Sequence, residues 1–281
     1  MNKRTIIYLI LVFGLSIPLY ILISRSGGLE GPGEQYVLLL MWCPGIAALI
    51  TTLIFQRNLR GLGWGLGRPR YLVIGYLLPI LYAGIVYGAI WLSGLGGVDF
   101  SRLGAQPVST LVFVLTVNVL ISILLALGEE IGWRGLLAPQ LYTQHTFVGT
   151  ALISGLIWGV WHIPLIITGD YSSGAPTWYA ITCFMIHITG LAFAFAWLRL
   201  ASGSLWPAAL MHATHNAFIQ SVLDKITVDS GRTAYFSTEF GLGLAMMGVI
   251  VALCFWWIGL PISSRATDAQ SFTTHAAPAK G

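Results

Sequence analysis

Long apolar runs separated by short polar connections extend along almost the whole chain. A helix needs about 20 apolar residues to cross the hydrocarbon core of a bilayer. The pattern contains no strand-like alternation and no internal repeat, which indicates an all-α polytopic membrane protein. Prolines inside several runs predict kinked helices, and kinks leave room for a polar cavity within the bundle. We predict eight spans, at approximately 5–24, 36–55, 71–95, 109–128, 148–168, 177–198, 205–223 and 240–262.

The spans form one predicted transmembrane domain, residues 1–262, whose motif-bearing core covers about 109–220. The remaining residues, 263–281, are polar and rich in Ala and Thr, so we predict a disordered tail. The chain starts like a signal peptide, with two basic residues before an apolar run. Because that run continues without a small-x-small cleavage site, we interpret it as an uncleaved first span.

The composition agrees with a chain that is surrounded by lipid. Of its 281 residues 56% are hydrophobic and only 9% are charged, and the mean hydropathy is +0.80. A soluble domain carries about 25% charged residues. The net charge of +4 is small and spread along the chain, which argues against a nucleic-acid partner.

Basic residues predict the orientation of the spans, because Lys and Arg accumulate in cytoplasmic connections. Of the 14 Lys and Arg residues, nine fall on the side that carries both termini, four fall on the other side, and Arg134 lies within a helix. Both termini are therefore predicted to be cytoplasmic, in the plasma membrane if the source is prokaryotic. The nine are Lys3, Arg4, Arg57, Arg60, Arg68, Arg70, Arg199, Arg265 and Lys280, and the four are Arg25, Arg102, Lys225 and Arg232.

Two adjacent carboxylates, Glu129 and Glu130, are the only ones of the ten acidic residues that fall inside an apolar run. A carboxylate within a membrane span costs roughly 2.5–3.5 kcal/mol, so an intramembrane pair indicates a functional site. Glu130 and Arg134 are spaced i,i+4 with the acid first, which favours an ion pair along the helix. Glu129 points about 100° away from Glu130 and is left for a different role.

Two further polar pairs occur with the same helical spacing in later apolar runs. Trp158 and His162 form one pair, and His212 and Asn216 form the other. With a rise of 1.5 Å per residue, the polar members of all three motifs lie roughly 10–21 Å from the cytoplasmic ends of their helices. Polar side chains from three helices are therefore predicted to meet at one level, where they satisfy one another or line a water-filled cavity.

The alternative is a structural cluster of carboxyl and imidazole groups that only joins helices. Among the other histidines, His187 stands alone in its span, and we interpret it as a core residue satisfied by its neighbours. His215 shares a span with Asn216 but lies on a different helical face. His145 and His275 lie in a connection and in the tail and receive no role.

The ordered set Glu-Glu-x-x-x-Arg, aromatic-x-x-x-His and His-x-x-x-Asn, on separate apolar helices, resembles the motifs of the CPBP family of intramembrane proteases. That family includes the type II CAAX prenyl proteases and bacteriocin-immunity relatives. The resemblance covers residues from about Ser109 to Gln220, and the eight-span layout agrees with it. Trp158 stands where the family usually carries Phe, which is a conservative change on the same apolar face.

The resemblance implies a role for each motif residue. Glu129 would activate a water molecule for attack on a peptide carbonyl, and His162 would help to position or activate that water. His212 and Asn216 would polarise the carbonyl and stabilise the oxyanion. The supporting residues would be Glu130, Arg134 and Trp158.

The resemblance leaves the involvement of a metal open, because the family has been described both as metalloproteases and as glutamate-dependent proteases. A zinc ion bound by Glu129, His162 and His212 is chemically permissible, since two histidines and a carboxylate form a known catalytic zinc set. The His-Glu-x-x-His helix of many zinc proteases is absent from the sequence, and each ligand would come from a different helix. We therefore favour a reaction without a cofactor.

The sequence thus predicts an intramembrane endopeptidase that lies in membrane lipid and cuts a membrane-bound or lipidated peptide, with no particular oligomeric state indicated. The alternative is a non-proteolytic immunity or accessory membrane protein that uses the same fold. A proton-coupled transporter would also place Glu and His in the membrane. Transporters of that kind typically carry inverted repeats or matched broken helices, and the sequence shows neither.

Overall fold

The computed structural model describes residues 2–29 and 31–260, and these residues form a bundle of long helices. The main helices are α1 (Lys3–Arg25), α2 (Val37–Gln56), α3 (Pro69–Leu92), α4 (Pro107–Tyr142), α5 (Phe147–Ile167), α6 (Thr177–Ser202), α7 (Trp206–Phe218, continued by Ile219–Leu223 and Asp224–Ile226) and α8 (Leu242–Ile258). The connections contain the 3₁₀ turns Pro32–Tyr36, Phe100–Leu103 and Thr233–Tyr235 and two antiparallel two-residue strands, β1 (Gly97–Val98) and β2 (Thr227–Val228). The predicted tail, 263–281, lies outside the described residues.

The all-α class is confirmed, and the protein is an integral membrane protein. Six helices in the described part of the chain are long and apolar enough to cross a membrane, namely α1 to α6. α8 is apolar but has only 17 residues, and α7 carries the polar His212 and Asn216. The predicted count of eight spans therefore stays a prediction. The fourth predicted span, 109–128, continues as helix to Tyr142, so both carboxylates lie within α4.

α4 is held against α2 by direct contact between their backbones near the two carboxylates. A Cβ atom added to Gly45 of α2 would lie 2.5 Å from the carbonyl oxygen of Gly128. A Cβ atom on Gly132 would lie 2.6 Å from Cβ of Pro44. The spacing of Gly128 and Gly132 is the small-xxx-small pattern that lets membrane helices approach closely. The helix segment that carries Glu129 and Glu130 is therefore fixed in position by its glycines.

α6 is the central helix and packs along both α5 and α8. A Cβ atom on Gly155 of α5 would lie 2.7 Å from Cβ of Ala192, and one on Gly190 would lie 2.3 Å from the carbonyl oxygen of Gly248. Gly155 and Gly190 thus allow close packing of these helices. These contacts bring α5, α6 and α8 around the same interior space.

One end of the bundle collects the connection after α2 and the connection between α6 and α7. Arg199 Nη2 donates to the carbonyl oxygen of Gly61 at 3.2 Å, and the backbone N–H of Leu205 donates to Gly63 at 2.9 Å. α8 ends on this side as well, because Trp197 Nε1 donates to the carbonyl oxygen of Gly259, one residue past the helix, at 2.8 Å. This end corresponds to the predicted cytoplasmic side.

The opposite end collects the connections after α3 and α7. β1 pairs with β2, and the N–H of Asp99 donates to the carbonyl oxygen of Ile226 at 2.9 Å. The hydroxyl of Thr233 donates to the carbonyl oxygen of Leu95 at 2.8 Å. Connections that are predicted to lie on one side of the membrane therefore contact one another.

Arg199 changes the charge argument for orientation. Its side chain is 5% exposed, and Nε donates to the carbonyl oxygen of Arg134 at 2.9 Å. It lies inside the bundle rather than at the membrane surface, so the nine basic residues counted on that side become eight against four on the other. The predicted cytoplasmic side therefore still carries more Lys and Arg residues than the opposite side.

We expect reporter fusions to place both termini in the cytoplasm, because the basic residues favour that side. Fusions at Gly61 and Gly281 should report a cytoplasmic location, and fusions at Gly28 and Ser172 should report the opposite side. The measurement is a pair of reporters that are active on opposite sides of the membrane. A Gly281 fusion reporting the outside would be incompatible with eight spans.

Candidate active site

A cavity of about 190 Å³ lies inside the bundle, between α2, α4, α5, α6 and α7. Its wall includes Glu129 from α4, His162 from α5, and His212 and Asn216 from α7. These four side chains therefore line one cavity. Most of the remaining wall is apolar and is formed by residues such as Leu40, Met41, Leu165, Phe184, Ile188 and Leu191.

Glu129 is held by two indole rings. Its side chain is 2% exposed, and Oε2 accepts hydrogen bonds from Trp158 Nε1 at 2.8 Å and Trp133 Nε1 at 3.2 Å. Oε1 forms no hydrogen bond with another described residue. The carboxylate is thus anchored through one oxygen, while the residue lines the cavity.

The predicted ion pair between Glu130 and Arg134 is present and fully buried. Arg134 Nη1 lies 2.8 Å from Glu130 Oε1, and the two side chains are 3% and 0% exposed. The same oxygen accepts a hydrogen bond from His212 Nδ1 at 2.9 Å. Glu130 therefore joins α4 to α7 and orients a cavity histidine, although neither Glu130 nor Arg134 lines the cavity.

The sequence interpretation named Glu130, Arg134 and Trp158 only as supporting residues, and the structure adds direct contacts to Glu129 that it missed. Trp158 was assigned only structural support in place of the usual Phe, yet its indole donates directly to Glu129, a bond that Phe cannot form. Trp133 received no role, although its spacing of four residues from Glu129 is a signal in the sequence.

Arg134 is packed between two aromatic rings. Its guanidinium carbon lies 4.0 Å from the centroid of the Trp158 ring and 4.0 Å from that of Phe195. A guanidinium stacked on aromatic faces gains a cation–π attraction that is larger when water is excluded. Through these two rings, Arg134 of α4 also contacts α5 and α6.

His162 has one ring nitrogen engaged by its own helix. Nδ1 lies 2.9 Å from the carbonyl oxygen of Trp158, which accepts only, so Nδ1 carries the hydrogen. In the neutral imidazole, Nε2 is then an acceptor. No described residue bonds to it, and the ring packs on Trp161 and Phe184 along the cavity.

His212 and Asn216 present polar groups from α7 to the same space. His212 Nδ1 donates to the Glu130 carboxylate, and its Nε2 forms no hydrogen bond with another described residue. The side-chain amide of Asn216 also has no hydrogen-bond partner among the described residues, although it lines the cavity. Both groups are available to a bound molecule.

A second polar cluster lines this cavity and was not predicted. Glu239 is 7% exposed, and its Oε1 accepts from His215 Nε2 at 2.6 Å. Its Oε2 accepts from the hydroxyl of Tyr171 and, at 3.3 Å, from Gln220 Nε2. The sequence interpretation had placed Glu239 in a connection outside the apolar runs.

The connection between α7 and α8 brings Glu239 inside because it turns back into the bundle. Ser237 and Phe240 are only 4% and 3% exposed. α8 has 17 residues, so the chain is already within the bundle when the helix begins at Leu242. The short final helix and the aromatic residues around Glu239 are the signals that sequence reasoning overlooked.

His187 and His215 stack on each other, with ring centroids 5.4 Å apart and an angle of 28° between the planes. His187 Nδ1 donates to the carbonyl oxygen of Leu244 at 2.9 Å, but its buried Nε2 has no hydrogen-bond partner in the described residues. The prediction of a satisfied core histidine is therefore wrong for Nε2. His187 and His215 both line the cavity.

In the alternative zinc mechanism the ligands would be Glu129, His162 and His212. Within residues 2–29 and 31–260, no group of three His, Cys, Asp or Glu side chains is arranged so that it could hold a metal ion. Glu129 and His212 each use one donor atom in a hydrogen bond to the protein. Each of the three residues keeps one further oxygen or nitrogen atom without a hydrogen-bond partner among the described residues.

We expect Glu130→Gln to lower the melting temperature and the abundance of the protein. The change leaves Arg134 without its counterion and weakens the bond to His212, and losing one partner of a buried pair costs on the order of 3–5 kcal/mol. Thermal unfolding of the purified protein is the measurement, with Glu34→Gln, which removes an exposed carboxylate, as the control. An unchanged melting curve would mean that Glu130 has no structural role.

Comparisons with known proteins fall on the region of the three motifs. Residues 109–218 match the family model described as Type II CAAX prenyl endopeptidase Rce1-like. A curated protein of Methanococcus maripaludis, "CAAX prenyl protease 2", is 30% identical over 89 residues, which are 30% of this chain and 32% of that protein. The chain thus matches about a third of the length of this curated relative. The resemblance of the chain to the CPBP family of intramembrane proteases is confirmed over its motif-bearing region.

Proposed function

We propose that this protein is an intramembrane endopeptidase of the CAAX-protease type, which hydrolyses a peptide bond of a membrane-bound or lipidated substrate. The observation that carries the proposal is the meeting of Glu129, His162, His212 and Asn216, from three helices, at one buried cavity. The family model and the curated relative support a peptidase. The apolar cavity wall suits a substrate that reaches the site from the lipid.

Glu129 is the group that activates water in this proposal. Its Oε2 is held by the indoles of Trp158 and Trp133, which leaves Oε1 to accept a proton from a water molecule. His162 donates through Nδ1 to a backbone carbonyl, so its neutral Nε2 accepts a second hydrogen bond from the same water. Two acceptors orient one water for attack, as general-base catalysis requires.

His212 and Asn216 are the groups that stabilise the oxyanion. The Asn216 amide supplies an N–H donor directly. His212 donates from Nε2 only when both ring nitrogens carry hydrogens, and the Glu130 carboxylate at Nδ1 favours that charged form. Removing one donor of this kind typically costs about 3–4 kcal/mol of transition-state stabilisation.

The protons balance without a further catalytic group. Glu129 takes a proton as the water oxygen bonds to the peptide carbon. The protonated Glu129 then gives that proton to the amide nitrogen, the carbon–nitrogen bond breaks, and a carboxylic acid and an amine are released. The carboxylate is regenerated for the next cycle.

We expect Glu129→Gln to abolish cleavage, because the amide cannot accept the proton of the water. The loss should be at least about 100-fold for a general base, while the melting temperature stays close to that of the wild type. The measurement is a comparison of membrane-protein fragments in cells that make the wild type or the variant, followed by cleavage of the identified segment with purified protein.

The matched control is again Glu34→Gln, which removes a carboxylate of the same type from an exposed turn. It should cleave like the wild type. Identical fragments with wild type and Glu129→Gln would instead favour the non-proteolytic immunity or accessory role.

We expect purified protein to keep its activity after exhaustive treatment with a strong chelator, because our mechanism uses the imidazoles through hydrogen bonds only. Zinc chemistry would instead require neutral His162 and His212 as ligands, and activity would then disappear with the metal and return with it. The measurement is peptide cleavage with metal content determined on the same sample. One equivalent of zinc that follows activity through removal and restoration would replace our mechanism.

A further inference from the structure

The Glu239 carboxylate faces only hydrogen-bond donors among its described neighbours. His215 Nε2 donates to Oε1, and the Tyr171 hydroxyl and the Gln220 amide donate to Oε2. A carboxylate that accepts several hydrogen bonds is stabilised in its ionised form. Glu239 therefore carries a negative charge at the cavity wall.

His215 is paired with this carboxylate through its Nε2. Its Nδ1 contacts the hydroxyl of Tyr82, and that hydroxyl has no other hydrogen-bond partner among the described residues. Both ring nitrogens of His215 are therefore engaged with side chains of the protein, Nε2 with Glu239 and Nδ1 with Tyr82. Within residues 2–29 and 31–260, no Lys or Arg forms an ion pair with Glu239.

His187 supplies a second acceptor to the same part of the cavity. Its Nδ1 carries the hydrogen that is donated to Leu244, so its neutral Nε2 is an acceptor. This nitrogen is buried and has no hydrogen-bond partner in the described residues, and the side chain is only 2% exposed. A buried acceptor without a partner costs free energy unless a ligand supplies a donor.

We propose that His187, His215, Gln220 and Glu239, which we call the Glu239 subsite, bind a cationic nitrogen group of a peptide ligand, the side chain of a lysine or arginine. An ammonium or guanidinium group supplies a full positive charge beside Glu239, which no Lys or Arg of the described residues provides, and it has enough N–H donors to bond to His187 as well. Buried charges in membrane proteins are normally paired, and such a ligand would give Glu239 a cationic partner and His187 Nε2 a hydrogen-bond donor.

The place of this subsite in the reaction rests on the proposed endopeptidase function. His215 directly precedes Asn216 on α7, and Gln220 follows Asn216 by about one helical turn. Both clusters line one cavity. The basic residue of the substrate should therefore lie within one or two residues of the bond that is cut.

The test uses binding, so that it does not depend on turnover. The full-length Glu129→Gln variant is purified and mixed with an equimolar pool of apolar peptides. Each peptide is varied at one position along its length, and that position holds lysine, its uncharged analogue norleucine, or glutamate. Retained peptides are quantified by mass spectrometry. When the varied position is one that reaches the subsite, we expect the amount of retained lysine peptide to exceed that of the norleucine peptide at least about tenfold. The glutamate peptides should be retained least. Equal retention of lysine and norleucine peptides would overturn the proposal.

Two variants test whether the preference for lysine arises at the Glu239 subsite. Glu239→Gln and His187→Phe, each added to Glu129→Gln, should reduce the ratio of lysine to norleucine retention, the first to near one. Glu34→Gln in the same background should leave the ratio unchanged. A preference for lysine that persists in both subsite variants would place the cation elsewhere and overturn the proposal.

The outcome of this peptide-binding test can be distinguished from the outcome of the cleavage test. A protein that cleaves peptides but shows no preference for lysine retains the endopeptidase function and loses the Glu239 subsite. A protein that retains lysine peptides through Glu239 but cleaves none keeps the subsite and loses the endopeptidase function.

Discussion

The arrangement of the polar interior depends on the buried Glu130 carboxylate. One of its oxygens accepts hydrogen bonds from both Arg134 and His212, so it joins two turns of α4 to α7. Arg134 in turn contacts the rings of Trp158 and Phe195 on two further helices. A buried ion pair gains little net stability, because desolvation offsets the attraction between the charges. Its effect here is to hold His212 in one orientation at the cavity.

The backbone supports this arrangement through close contact between α2 and α4. Gly128 and Gly132 flank the two glutamates, and neither has room for a side chain against α2. α4 also changes to a π-helical turn from Ile131 to Leu137, directly after Glu130. π-helical turns inside α-helices are frequent at functional sites. Two adjacent carboxylates therefore reach different partners, with Glu129 at the cavity and Glu130 behind it.

The cavity has two polar regions within apolar walls. Glu129 and His162 define the first, and Glu239 and His187 define the second. Asn216 lies between His212 of the first region and Gln220 of the second along α7. A peptide in this cavity could therefore present its backbone to one region and a side chain to the other. The apolar wall lowers the local dielectric constant and so strengthens the electrostatic interactions in both regions.

The sequence by itself determined the helical class, the position of the carboxylates and the three polar pairs. Hydrophobic length and i,i+4 spacing are local properties, and the cost of a charge in lipid marks Glu129 and Glu130 without any knowledge of packing. The ion pair with Arg134 follows from the same local geometry. Helix lengths also predicted that Glu129, His162, His212 and Asn216 would lie near one another, and these four residues line one cavity.

Only the tertiary structure decided which partner each polar group takes. The bonds from Trp158 to Glu129 and from His212 to Glu130 depend on how each helix is rotated about its axis, and span lengths do not contain that rotation. Glu239 lies in the cavity because a connection turns back into the bundle before a short final helix. The path of a connection is set by the space that the packed helices leave, so hydropathy along the chain does not reveal it.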